Sequence, residues 1–114
     1  ERFGDKIDVD FIQSDCWSVN LGRVPAGVNV YFFDGPHEKE DHARALPYYL
    51  PRLADQFIFI VDDWEDEKKA RTGTFEGIKS SGLLPAFIAE VGLGEHETGD
   101  GWWNGLGVFV LRKP

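Results

Sequence analysis

Two stretches decide the fold: Val28-Asn29-Val30-Tyr31-Phe32-Phe33-Asp34-Gly35-Pro36-His37, and Phe57-Ile58-Phe59-Ile60-Val61-Asp62-Asp63-Trp64. Each is a nearly continuous run of β-branched and aromatic residues that ends abruptly in aspartate. A strand with one wet face alternates apolar and polar side chains. Runs without alternation suit strands buried on both faces, as in a parallel sheet covered by helices. The segment between the two runs has helical spacing, so the unit reads strand, helix, strand, and a parallel pair needs such a crossover.

Working outward, residues 7–13, 86–91 and 106–111 also read as strands. The helix between the two central runs is predicted over 38–53, with Ala43, Leu46, Leu50 and Leu53 on its apolar side. A break is expected near Pro47, because proline removes an amide donor and clashes with the preceding turn. A second helix is predicted over 66–80, with Gly82 as its stop. The connection 92–105 is too long for a tight hairpin and carries Trp102 and Trp103. The expectation is a single α/β domain over residues 1–114, with a mostly parallel sheet and helices on its faces.

Composition narrows the function. The net charge of −8, from 20 acidic and 12 basic residues, argues against nucleic-acid phosphate and against an anionic membrane surface, since both are held by Lys and Arg. No apolar run approaches the ~20 residues that span a bilayer. Cys16 is the only cysteine, so no intrachain disulfide forms, and a reducing cytoplasmic setting is the simplest expectation. The chain opens on Glu1 without a signal peptide and contains no methionine, which reads as a start in the middle of something.

In open parallel sheets, ligands bind beyond the carboxyl ends of the strands. Past the predicted strands stand Asp15-Cys16-Trp17, Asp34-Gly35-Pro36-His37 and Asp62-Asp63-Trp64. Aspartate also favours turns and helix starts, which is the plain reading of any one of them. Adjacent carboxylates such as Asp62 and Asp63 repel unless a cation or donors compensate. With Asp34 on the neighbouring strand they make a three-carboxylate set suited to Mg2+ or a similar hard divalent ion. His37 is either a general base or a residue at the helix start facing solvent. His42 reads as a surface residue, and Cys16 as a packed small one. Trp64, Trp102, Trp103 and Asn104 are candidates for a substrate pocket, with core packing the ordinary reading of any single tryptophan.

These residues resemble the fourth- and fifth-strand region of class I S-adenosylmethionine-dependent methyltransferases, nearest the macrocin-type O-methyltransferases. The resemblance is carried by the run from Tyr31 to Glu38, by Ala45-Leu46-Pro47-Tyr48-Tyr49-Leu50-Pro51-Arg52-Leu53 and by the run from Phe57 to Trp64. The closing run from Gly105 to Leu111 resembles that family's last, antiparallel strand. The resemblance implies a partial Rossmann-like fold, with Asp34, Asp62 and Asp63 as metal ligands and Asp15, Cys16 and Trp17 beside the adenine of S-adenosylmethionine. It implies methyl transfer to a hydroxyl of a small molecule or sugar. Two features depart from the family. Pro36 stands where a second acidic residue often serves as base, leaving His37 as the nearest substitute. No glycine-rich strand–turn–helix occurs in the chain, so most of the cofactor's cradle is expected upstream of Glu1 and the fragment alone is expected to be inactive. The edge of the 28–33 strand is then bare and apolar, which predicts a homodimer by sheet continuation or by exchange of the N-terminal segment. A non-catalytic α/β assembly module and, more weakly, a metal-dependent hydrolase are the alternatives.

Overall fold

The computed structural model describes residues 7–92 and 104–114. They form β1 (Val28–Phe33), α1 (Lys39–Tyr49), β2 (Leu53–Val61), α2 (Thr72–Ser80), β3 (Leu84–Val91) and β4 (Leu106–Arg112). The strands lie in the order β1-β2-β4-β3. β1 and β2 are parallel, joined through α1, whereas β4 runs antiparallel to both β2 and β3. The α/β class stands, and so does an antiparallel last strand. A mostly parallel sheet does not: one of the three strand pairs is parallel, because β4 inserts between β2 and β3 instead of extending the edge.

The core lies on one face of the sheet. Phe57, Phe59 and Val61 of β2 and Phe109 and Leu111 of β4 point into it, and α1 and α2 close it with Ala45, Leu46 and Ile78. Both helices therefore cover the same face, where helices on both faces were predicted. They can share it because they pack closely. A Cβ at Gly73 would collide with the Lys39 carbonyl and His42, and one at Gly77 would stand 2.9 Å from the Ala43 carbonyl oxygen.

α1 opens with a capping box, in which Glu38 and Asp41 each accept from the other's backbone amide. It then runs through Pro47 without the predicted break. The intrahelical bond lost at Pro47 is the one to Ala43, four residues back. That carbonyl is the one α2 packs against through Gly77, so the helix keeps its course there against its neighbour although the donor is lost. The predicted second helix divides: a π-helical turn over Glu67–Arg71, capped by Asp66, precedes α2. β2 begins at Leu53, earlier than its apolar run, because Leu53 pairs with Val28. β3 begins at Leu84 and carries Pro85, which the sheet tolerates there because β3 is an edge strand with a register shift at that point.

Residues 7–13 are not a strand. The alternation is real, but Ile7, Val9 and Phe11 are 56%, 77% and 79% exposed, and no strand among the described residues pairs with them. Among the described residues no helix is long and apolar enough to cross a membrane.

Candidate functional site

The parallel pair sets the geometry. The Asp62 amide donates to the Phe33 carbonyl (3.1 Å) and ties the two strand ends together. Asp34, Asp62 and Asp63 each offer a carboxylate oxygen there, all within 4.8 Å of one another. Asp63 has φ 57°, a left-handed conformation that aspartate tolerates better than bulky residues. That turn is held from β4's side. Asn104 Nδ2 donates to Asp63 Oδ1 (3.1 Å), the Trp64 amide to the Gly105 carbonyl (3.3 Å) and the Glu65 amide to the Asn104 carbonyl (2.8 Å).

Crowding three carboxylates has an electrostatic consequence. Burial first, then the Asp62 charge, a hydrogen bond with Asp62 and the Asp63 charge push the Asp34 carboxyl above its usual range. Either a shared proton or a cation relieves the repulsion. The donor set is all oxygen and all hard, and Asp34 remains open to water, so the residues fit a divalent ion that keeps coordination positions for solvent or substrate. Beside it, Asp63, Glu65, Asp66 and Asn104 line a cleft of about 210 Å³.

The Asp15-Cys16-Trp17 turn docks on α1. Asp15 Oδ1 accepts from the Trp17 amide (3.0 Å), Trp17 Nε1 donates to Asp41 (3.0 Å), and Tyr49 Oη donates to the Cys16 carbonyl (2.5 Å). The Trp17 ring stacks on Phe33 with centroids 6.0 Å apart, and the Arg44 guanidinium lies 4.9 Å above it. The turn is thus brought beside the β1 end, with its indole engaged in packing. Burial and the neighbouring Asp15 and Asp41 push the Cys16 thiol up, the opposite of what an activated nucleophile needs.

Four other sequence-predicted residues fall differently. His37 is exposed at the entrance to α1 and is not one of the three clustered ligands. Trp64 is completely buried; its ring meets Phe109 and Phe75 edge-on and its Nε1 donates to Glu90 (2.6 Å), so it is a core residue that braces Asp63 from behind. Trp102 and Trp103 lie outside the described residues.

Sequence reasoning missed His42. Read as a surface residue, it is 3% exposed and packs edge-on against Phe33. Neither ring nitrogen has a hydrogen-bond partner among the described residues. Burial lowers its pKa, while the charges of Asp63, Asp41 and Asp66 raise it. The signal was present: His42 shares the spacing of Ala45, Leu46 and Tyr49 along α1. No protein family, no curated protein and no solved structure matches this chain.

Proposed function

We propose that the rim of Asp34, Asp62 and Asp63 holds a divalent cation such as Mg2+, and that the protein serves S-adenosylmethionine-dependent methyl transfer to a hydroxyl of a small molecule or sugar. The cation reading is carried by one observation, the convergence of three carboxylate oxygens within 4.8 Å at the ends of a parallel pair. The methyl-transfer reading is supported by the sequence resemblance. A mixed sheet whose last strand runs antiparallel agrees with the partial Rossmann-like arrangement that the resemblance implies.

When bound, the cation would lower the pKa of an acceptor hydroxyl. The chain's own residues supply position. Asp34 and Asp62 come from adjacent strands that a backbone hydrogen bond locks together, and Asn104 orients Asp63. The cleft along Asp63 and Asn104 would receive the acceptor, and the exposed His37 imidazole would take its proton. Rate would come from positioning and fixed charge. The sequence holds no glycine-rich strand–turn–helix, so in this reading the chain's share in holding the methyl donor is the Asp15–Trp17 turn.

Titration calorimetry with Mg2+ and Mn2+, on the wild type and on Asp62→Asn combined with Asp63→Asn, tests the site. The double variant should lose cation binding; unchanged affinity removes the metal assignment. Parallel titration with S-adenosylmethionine, with and without Mg2+, tests the reaction. Phosphoester hydrolysis by the chain would favour the hydrolase reading of the same carboxylates. Absence of both cation and cofactor binding would favour a non-catalytic α/β module.

A further inference from the structure

The face of the sheet opposite the helices is apolar, and no element among the described residues covers it. Across the four strands Val30, Ile58, Val110 and Phe87 stand in one row, and Phe32, Ile60, Val108 and Ala89 in the next. A sheet with one wet face places polar residues at such positions. Here Val30, Phe32 and Phe87 are 54%, 52% and 55% exposed, and none of the eight side chains is charged. Four strands about 4.8 Å apart, with about six residues of 3.3 Å each, give a face on the order of 400 Å². That matches the largest apolar patches of ordinary monomers, which are often functional. A standard stable interface needs about 800 Å² from each partner. Exposed Val9 and Phe11, on either side of Asp10, and Ile7 offer further apolar surface toward that area. Asp10 is bound to Arg23 (3.1 Å), and the adjoining Val24 lines a cavity with Val30 and Phe32.

Charge says what the face meets. Its carboxyl end, by β1 and β2, carries Asp34, Asp62 and Asp63. Its other end carries Arg52, Arg112 and Lys113 against the single carboxylate of Asp55, whose carbonyl accepts from the Lys113 amide (2.8 Å); Arg112 is paired beside Gln56 and Lys113 Nζ donates to the Leu53 carbonyl (2.6 Å), so this end is net basic. Two copies stacked with strands parallel would set acid on acid. Stacked antiparallel, each basic end lies over the partner's acidic end, and the contact is self-complementary and closed.

We propose that this face is the contact of a homodimer, two copies stacked sheet on sheet about a two-fold axis perpendicular to the strands, with the helices outward. The stacking follows ordinary face-to-face sheet packing, about 10 Å apart. It leaves each copy's −8 charge largely outside the buried patch.

Sedimentation equilibrium of the full chain over a dilution series, in chelator and without added metal, tests it. The expected mass is twice the 12.9 kDa of one chain. Ile58→Lys or Val110→Lys should weaken association by about a hundredfold, since each buries an unpaired charge at the centre. Arg112→Glu should weaken it by about tenfold through the rim. Binding of a hydrophobic dye by the wild type should rise as dilution separates the copies, a readout that needs no variant. A monomer at every concentration, a dimer indifferent to both lysine substitutions, open-ended growth, or dye binding unchanged by dissociation would each overturn the proposal.

Discussion

Gly107→Ala is a small change with a calculable cost. Gly107 lies in β4 opposite Val61, and a Cβ there would stand 2.6 Å from Trp64 Cδ2, 2.7 Å from Cε3 and 2.9 Å from Cε2. Ordinary contact begins at 3.4 Å, so the indole must retreat by close to an ångström. It has nowhere to go: Phe109 and Phe75 hold its flanks at 5.3 and 5.8 Å, and Glu90 holds its nitrogen at 2.6 Å. Overpacking of this kind costs about 1–3 kcal/mol. Replacing a strand glycine returns about 0.5–1 kcal/mol of backbone entropy. The net expectation is a loss of about 1–2 kcal/mol, with a shift of about 4–8 °C in Tm per kcal/mol at this size. Urea unfolding followed by far-UV circular dichroism measures it. In a Trp64→Phe background the smaller ring leaves room, so the same alanine should cost at least about 1 kcal/mol less. Equal costs in the two backgrounds, or an unmoved midpoint in the first, would refute the packing argument. Because Trp64 directly follows Asp63, the displaced ring should also weaken cation binding, read by the same calorimetry as the wild type.

Gly73→Ala should cost more than Gly107→Ala, about 3 kcal/mol or above, because its obstruction is the Lys39 carbonyl, a backbone atom that cannot swing aside; urea midpoints of the two variants give the order. Asp63→Asn should leave stability within about 0.5 kcal/mol, since asparagine also tolerates a left-handed backbone, yet lower cation affinity; a large stability loss would show that the Asp63 charge is structural. Burial lowers the His42 pKa from 6.5, so between that value and the lowered one the unfolded chain binds the extra proton. His42 therefore adds nothing adverse above 6.5 and removes stability as pH falls through the window. His42→Leu should flatten that fall and raise stability at neutral pH by about 1 kcal/mol, because two unpartnered ring nitrogens disappear; denaturation across pH reads both. The raised Asp34 pKa has the opposite sign: without a cation its ionisation removes stability as pH rises from 3.8 through the raised value. Thermal stabilisation by Mg2+ should accordingly be larger at neutral pH than in acid, where protons compete for the carboxylates.

The strand ends were legible because the physics there is local. An apolar run has to stop where the chain leaves the sheet, and Asp34, Asp62 and Asp63 mark the stops. Their convergence needed only a parallel pairing of the two runs, which a helical crossover requires. What was illegible depends on the partner each residue finds. The runs in β1 and β2 read as buried on both sides, and the helices as divided between the faces. Continuous apolarity reports what a strand can bury, not whether this chain supplies the cover: α1 and α2 share one side through Gly73 and Gly77, which neither helix's own pattern announces. Residues 7–13 fail for the same reason in reverse, since alternation prescribes two faces but not a neighbouring strand to bond.

Trp64 and His42 both lie deeper than their candidate roles at a pocket wall and at the surface, and the cause is common to both. A tryptophan just past a strand end reads as a pocket wall, and a histidine within a charged helix start reads as surface. Yet the left-handed turn at Asp63 directs the chain so that Trp64 enters the core against Gly107, where only the absence of a side chain makes room. The close approach of α2 at Gly73 leaves His42 covered in turn. The same two contacts steady the carboxylate rim, because Trp64 and its Gly105 hydrogen bond fix Asp63, while His42 packs on Phe33, the residue before Asp34. A site made of three mutually repelling groups needs such rigid backing: without it the carboxylates would separate and their affinity for a cation would fall. The glycines of α2 and β4, rather than the aspartates alone, are therefore where the candidate site is determined.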